Sequence, residues 1–165
     1  MNTLVIGIIL VIGILTAGIV YAIYTEEKPV INIRNDQSEF HVDYACSGTA
    51  VCYVGEVTEV IDGDTLRIRG TPVRLALTSA PELSEENGIK ARDFVAKLCP
   101  LGSNALVDED DKQTSGSHGR MVAKIVCGTN VVNSRLVEEG LGEIDKKFCS
   151  ISEFATEDWA KKYGC

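Results

Sequence analysis

The sequence predicts an α+β domain that follows an N-terminal membrane helix, and three observations lead to this prediction. Residues 65–69 and 73–78 alternate between apolar and polar side chains, as strands with one buried face do. Ala91, Val95 and Leu98 recur at helical spacing farther along the chain. Residues 4–24 carry no charged side chain and are rich in Ile, Leu and Val.

The apolar stretch at residues 4–24 is long enough to cross a bilayer. As a helix that rises about 1.5 Å per residue, it reaches roughly 30 Å, the thickness of the hydrocarbon core. A cleaved signal peptide, which would give a secreted protein, is the alternative; it would need basic residues before the apolar run, and there are none. We therefore predict a retained single-pass anchor at residues 1–24, a polar linker at 25–45 and a folded domain at 46–165.

The domain is predicted to begin with three strands. Residues 51–60 alternate loosely, and residues 65–69 and 73–78 alternate with their large apolar side chains on one face. Gly70-Thr71-Pro72 between the latter two favours a turn, so they should form a hairpin.

An acidic turn precedes the hairpin. It reads Asp62-Gly63-Asp64. Glycine adopts positive φ at no steric cost, so we expect Gly63 to allow both flanking carboxylates to point together.

The rest of the chain is predicted to contain two strands and three helices. In order they are a helix near residues 91–98, a strand at 104–108, a loop at 109–119, a strand at 120–127, a helix at 132–139 and a helix after Thr156. Pro100 and Gly140 should end the first two helices. We interpret the acidic residues 108–111 as a solvated loop, with a weak cation site as the alternative.

The charge and the cysteines narrow the classes of function. The formal net charge is -8, and an acidic surface repels a polyanion at long range, which argues against a general nucleic-acid coating protein but not against a local basic cleft. None of the six cysteines forms a Cys-x-x-Cys pair, so zinc binding is not expected. An even number in a small domain after a membrane segment favours disulfides and the outer, oxidising side of the membrane; six reduced thiols facing the cytosol is the alternative.

Several short motifs occur in an order and at a spacing that resemble the staphylococcal nuclease (thermonuclease) family. They are Ile61-Asp62-Gly63-Asp64-Thr65, Arg74-Leu75, Ala80-Pro81-Glu82, His118-Gly119-Arg120, Val132-Asn133 and Glu139-Gly140-Leu141. No single motif is specific, but the ordered set is a strong signal across residues 55–144. The resemblance implies a five-stranded OB-type β-barrel with about three helices packed around one side.

Of the fifteen possible disulfide pairings of six cysteines, we predict one whose first bond closes a short loop that contains serine and glycine. The three bonds would be Cys46–Cys52, Cys99–Cys127 and Cys149–Cys165. The second would join the end of a helix to the end of a strand in the resembled fold, and the third would hold the C-terminal helix.

The resemblance assigns catalytic roles to Arg74, Glu82 and Arg120. A guanidinium makes paired hydrogen bonds to phosphate and stays charged at physiological pH, and a glutamate can position or deprotonate the attacking water. His118 stands where the family carries an aromatic residue near the substrate. A substrate contact is therefore one interpretation of His118, and an ordinary loop histidine is the other.

A calcium site is the cofactor that the resemblance implies. Its ligands would be Asp64, Ser79, the carbonyl of Ala80 and Glu82. The family has an aspartate where this chain has Ser79, and calcium affinity follows the number of charged ligands, so binding should be weaker here.

These residues together predict a monomeric, membrane-tethered nuclease. It would hydrolyse single-stranded DNA or RNA, or relaxed duplex, with little sequence preference and with the assistance of Ca²⁺. By the chemistry of the resembled family, the products would carry 3′-phosphates. One alternative is a catalytically inactive OB-type module that binds nucleic acid or another ligand. Another is a disulfide-linked ectodomain that contacts an envelope protein.

Overall fold

Eight strands and three α-helices make up residues 46–165, the part of the chain that the computed structural model describes. The strands are β1 Cys52–Val60, β2 Thr65–Ile68, β3 Thr71–Leu75, β4 Thr78–Ser79, β5 Asn104–Glu109, β6 Met121–Cys127, β7 Asn130–Val131 and β8 Glu143–Ile144. The helices are α1 Gly88–Leu98, α2 Val132–Glu138 and α3 Asp158–Tyr163. The predicted anchor at residues 4–24 and linker at 25–45 lie outside the described residues.

Five of the strands close into a barrel in the order β1, β2, β3, β6, β5 and back to β1. β3 and β6 pair in parallel, whereas the other neighbours pair antiparallel. The α+β class, the closed five-stranded barrel and the number of helices agree with the predicted OB-type fold. None of the helices in residues 46–165 is long and apolar enough to cross a bilayer.

The barrel interior is filled by the apolar residues of the alternating strands. Each of the five strands contributes at least one fully buried side chain: Val57, Leu66, Val73, Val107 and Ile125. Helix α1 packs its own buried face against the same cluster. The period-two pattern of the sequence therefore marks the core face correctly.

A second apolar cluster holds the C-terminal segment against the barrel. Phe154 is 1% exposed and packs with Val122 of β6 and with Ala160 and Trp159 of α3. The helix begins at Asp158, two residues after Thr156.

The predicted turn of the hairpin is displaced by one residue. Ile68 pairs with Thr71, so Arg69 and Gly70 form a two-residue turn, with φ of 51° and 80°. Thr71 and Pro72 belong to β3 instead of the turn. The expectation of a turn at residues 70–72 was wrong because the paired register, and not the proline, decides where the turn lies.

The second hairpin strand is also shorter than predicted. It was expected to cover residues 73–78, but Leu77 has φ of 61°, which is outside the strand region. Strand β3 therefore ends at Leu75, and Thr78 and Ser79 form the separate strand β4, paired with β8.

The acidic residues 108–111 are part of the folded core, and the expectation of a solvated loop was wrong. Asp108, Glu109 and Asp110 are 1%, 8% and 0% exposed. The Asp111 carboxylate accepts hydrogen bonds from the backbone N–H groups of Thr49, at 2.8 Å, and Ala50, at 2.6 Å. The acidic run thus holds the N-terminal segment of the domain in place, because carboxylates satisfy N–H groups that would otherwise lack partners.

Glu153 carries a charge that opposes folding. Burial raises the pKa of its carboxyl, the N–H of Asp111 opposes this, and the nearby carboxylates of Asp111, Asp108 and Asp110 add to the rise. The folded chain therefore binds this proton more tightly than the unfolded chain does, and stability falls as the pH rises through the folded pKa.

Glu153→Gln should consequently stabilise the domain at neutral pH, since glutamine keeps the acceptor for the N–H of Asp111 and removes the charge. The gain should disappear at pH values well below 4.5, the ordinary pKa of glutamate. Urea unfolding at both pH values measures this. Glu56→Gln, at an exposed position of β1, should change stability at neither pH, and an equal gain at both would contradict the explanation.

All six cysteines are paired, and the predicted pairing is confirmed. The bonds are Cys46–Cys52, Cys99–Cys127 and Cys149–Cys165. The middle bond joins the C-terminus of α1 to the end of β6 and is fully buried, with its two residues 0% and 2% exposed.

Candidate active site

The Asp62-Gly63-Asp64 turn packs tightly against the start of the helical layer. A side chain on Gly63 would lie 2.6 Å from the Cβ of Ala80 and 2.7 Å from that of Ala91. Gly63 does not have positive φ, so the expected reason for this glycine was wrong. It is needed for space, because only a residue without a side chain allows the turn to approach α1 this closely.

Asp64 is the buried centre of the site, with 5% of its surface exposed. Its Oδ1 accepts hydrogen bonds from Arg74 Nη1 at 2.6 Å and from the hydroxyl of Thr65 at 3.0 Å. Its Oδ2 accepts the backbone N–H of Ala80 at 3.1 Å. A buried carboxylate needs such partners, and here a guanidinium supplies the opposite charge.

Arg120 is connected to the same centre through Thr65. Its Nη1 donates to the Thr65 hydroxyl at 3.3 Å, and its Nε donates to the carbonyl of Ser117 at 3.2 Å. The two predicted catalytic arginines are therefore connected through the side chains of Thr65 and Asp64. Sequence reasoning gave Thr65 no role of its own, although it follows Asp64 directly in the recognised motif.

Backbone pairing explains why these side chains meet. Thr65 of β2 lies opposite Arg74 of β3, and Arg74 in turn lies beside Val122 of β6. Arg120 immediately precedes β6, so the register of three neighbouring strands brings both guanidinium groups to Thr65.

His118 forms the tip of the turn that positions Arg120. The backbone of Ser117 pairs with that of Arg120 through two hydrogen bonds, at 2.8 Å and 3.0 Å. His118 and Gly119 between them have φ of 51° and 77°. The imidazole is exposed and has no hydrogen-bond partner among residues 46–165, so a role in substrate contact stays a prediction.

Glu82 does not join the arginine cluster. It is exposed, and its carboxylate has no hydrogen bond or ion pair within the described part of the chain. Its backbone N–H is bound by the carboxylate of Glu85 at 2.8 Å. The residue predicted to act on the attacking water is thus solvent-accessible and unpaired.

Asp62 is the second carboxylate of the turn. Its Oδ1 accepts the backbone N–H of Asp64 at 3.0 Å. Burial raises the pKa of the Asp62 carboxyl, the N–H of Asp64 lowers it, and the charge of Asp64 raises it. Hydrogen bonds from Thr65 also lower it, and the net result is a pKa of the Asp62 carboxyl above its ordinary value.

Three of the four predicted calcium ligands lie together, and calcium binding at them stays a prediction. Asp64, Ser79 and Ala80 lie together, but the guanidinium of Arg74 binds both Asp64 and, at 3.4 Å, the hydroxyl of Ser79. A cation that used these two oxygens would compete with a positive group already in place. Asp64 supplies the one carboxylate among these three residues, whereas calcium prefers six to eight oxygen ligands with several charges.

The described residues contain one group of three side chains whose metal-ligating atoms converge. It consists of Cys46, Cys52 and Asp108. The two thiols are joined in a disulfide, so they cannot act as thiolate ligands.

A cavity of about 440 Å³ opens beside the cluster, between β4 and the loop before β8. Ser79 and Ala80 line one side, and Leu141 and Glu143 line the other. A scan of the sequence against models of known protein families found no match.

Proposed function

We propose that the barrel is a nucleic-acid phosphodiesterase of the staphylococcal nuclease type, acting on single-stranded DNA or RNA with little sequence preference. The observation that carries this proposal is the connection of Arg74 and Arg120 through Asp64 and Thr65. Two guanidinium groups held by one hydrogen-bonded network can bind the oxygens of a single phosphate, where negative charge increases in the transition state.

The hydrolysis would need little more from the chain than positioning. Water attacks the phosphorus, the bond to the 5′ oxygen breaks, and that oxygen leaves with a proton, so that a 3′-phosphate and a 5′-hydroxyl remain. The two arginines stabilise the phosphoryl oxygens. Glu82, exposed and unpaired, is available to orient the water or accept its proton.

Calcium assistance is a separate part of the proposal. If Ca²⁺ bound at Asp64, it would supply positive charge beside the scissile phosphate. The arrangement of Arg74 argues that the native chain binds this ion weakly, and Ser79→Asp would add a charged ligand. We therefore propose that Ser79→Asp raises calcium affinity.

Membrane attachment through residues 4–24 and an extracellular position are further proposals. The three disulfides of the domain support the oxidising side of the membrane. Monomeric action is proposed on the ground that the arginine network is complete within one chain.

A non-catalytic phosphate-binding domain is the second candidate, and two observations favour it. Asp64 neutralises Arg74, and the carboxylate of Glu82 makes no contact with either arginine. In this case the same network would bind a strand without cutting it.

Incubation of the full chain with labelled single-stranded DNA and RNA separates the two candidates. We expect cleavage to 3′-phosphate products, reduced at least tenfold in Arg74→Lys, because lysine keeps the charge near Asp64 and lacks the guanidinium fork. Each reaction is run with millimolar Ca²⁺ and with a chelator, and in parallel with Ser79→Asp. Binding without cleavage under every condition would reject the nuclease and support the second candidate.

A further inference from the structure

A groove of about 400 Å³ opens at the end of the barrel that carries the β2–β3 turn. Its lining residues are Val51, Tyr53, Arg69, Thr71 and Met121. It is distinct from the arginine cluster, since Thr71 and Arg74 are three residues apart on β3, about 10 Å at the rise of a strand. The function described above makes no use of this groove.

The backbone places Arg69 at the groove despite a local conformational penalty. The first position of a two-residue turn with positive φ favours asparagine or glycine, yet Arg69 occupies it with φ of 51°. A side chain on Gly55 would lie 2.5 Å from the Cγ of Arg69, so a glycine is required for this side chain to lie across β1. Strain of this kind is concentrated at functional positions.

The guanidinium of Arg69 is not neutralised within residues 46–165, where it makes no ion pair. Arg67, two residues earlier, is paired with Glu59 at 3.0 Å. The Cζ of Arg69 lies 5.9 Å from the centre of the Tyr53 ring. An unpaired guanidinium over an aromatic ring, in a chain of net charge -8, offers an anionic planar ligand a local positive site.

Tyr53 lines the groove with its aromatic ring. Its hydroxyl is buried and makes no hydrogen bond to any described residue. Because the hydroxyl is out of reach of a ligand in the groove, the ring is the part of Tyr53 that such a ligand can contact. Val51, 52% exposed, and Met121 add an apolar wall beside the ring.

We propose that this groove binds a nucleotide, with the base against Tyr53 and Met121 and the phosphate on Arg69. The nucleotide is either free in solution or part of a strand that continues from the arginine cluster, and the second source rests on the proposed function. Met121 directly follows Arg120, so β6 leads from the cluster to the groove. Base stacking on aromatic side chains and phosphate binding by arginine are the usual contacts of single strands on such barrels.

The test compares Arg69→Gln with Arg67→Gln in the full chain. Fluorescence anisotropy measures the affinity for oligothymidylates of two and of about ten nucleotides, the longer within the range that one such barrel covers. Calorimetry measures binding of free thymidine monophosphate. If the groove binds part of a strand, Arg69→Gln should weaken binding of the longer strand about tenfold and leave the affinity for the dinucleotide unchanged. The slope of log affinity against log salt concentration should fall by about one for the longer strand. Arg67→Gln should bind all ligands as the native chain does.

Tyr53→Phe gives an independent readout. Removal of the buried, unpaired hydroxyl should raise the thermal stability of the free protein and leave nucleotide binding unchanged, because a ligand in the groove contacts only the ring. A loss of nucleotide binding in Tyr53→Phe would contradict the placement of the base against the ring.

The outcomes separate this proposal from the proposed function. If a strand binds Arg69→Gln and the native chain with equal affinity, and thymidine monophosphate does not bind, the groove proposal is wrong. The nuclease proposal is not affected by that result. If the native chain binds thymidine monophosphate and Arg69→Gln does not, a free nucleotide is the ligand of the groove, whether or not strands are cut. If the native chain binds a strand without cutting it, and Arg69→Gln binds that strand about tenfold more weakly, the nuclease proposal is wrong and the groove proposal is supported.

Discussion

Arg120→Ala should lower kcat for hydrolysis of single-stranded DNA by about 10²- to 10³-fold, the usual loss when one preorganised donor to a developing oxyanion is removed. The guanidinium of Arg120 is fixed by Thr65 and Ser117, so it is already in position when the phosphate arrives. Arg120 is a cleaner target than Arg74, because loss of Arg74 would leave the buried carboxylate of Asp64 without its counter-charge. Steady-state kinetics with a labelled oligonucleotide measures the effect.

Two control variants accompany Arg120→Ala. Arg120→Lys keeps the charge and loses the planar fork, so it should recover only part of kcat. Arg135→Ala removes an arginine of α2 that is paired with Glu138 and Glu139, and it should leave kcat unchanged. If Arg120→Ala folds as the native chain does and retains full kcat, this residue does not contact the reacting phosphate.

Removal of the buried disulfide should be among the most destabilising changes available in this domain. The bond between Cys99 and Cys127 spans 28 residues, and the chain-entropy relation gives roughly 3 to 4 kcal/mol for a loop of that length. Both sulfur atoms are also buried, so the double alanine variant loses packing as well. Urea unfolding of Cys99→Ala/Cys127→Ala measures the loss.

The bond between Cys149 and Cys165 is the matched comparison. It spans 16 residues, and Cys165 is exposed, so its double alanine variant should lose less stability than the buried pair does. A larger loss at this C-terminal bond would mean that the C-terminal helix, and not the closure of α1 onto the barrel, limits stability.

Much of the fold could be predicted because local patterns record it. Alternation marks β1, β2 and β6, and helical spacing before a proline marks α1. The end of β3 could not be predicted, because Leu77 is an apolar residue in the alternating pattern that nevertheless adopts positive φ. A pattern of polarity carries no information about a single backbone angle that tertiary contacts impose.

The acidic run shows the same limit more clearly. Four consecutive acids at residues 108–111 are typical of a solvated loop, yet Asp111 binds the backbone of Thr49 and Ala50, about sixty positions earlier in the chain. Partners at that separation are not visible in a local sequence. The sequence therefore shows that this segment is acidic, but it does not show that the segment is buried.

The candidate site was partly predictable. The motifs named Arg74, Arg120 and Asp64, and the structure connects these three. Thr65 was overlooked because a threonine in a strand is ordinary, and its role appears only when Arg120 arrives from β6. The binding of Arg74 to Ser79 was equally invisible, since it depends on the rotamer of a long side chain.

The most direct test of the convergence of the two arginines is NMR of the arginine Nε–Hε groups in the full chain. An uncleavable phosphorothioate strand is added in steps, and Arg74→Lys and Arg120→Lys assign the two signals. Because one phosphate contacts both guanidinium groups in this account, the signals of Arg74 and Arg120 should shift together along one saturation curve, while that of Arg135 stays unchanged. Shifts of only one of the two, or of neither, while the strand binds would contradict a shared phosphate site.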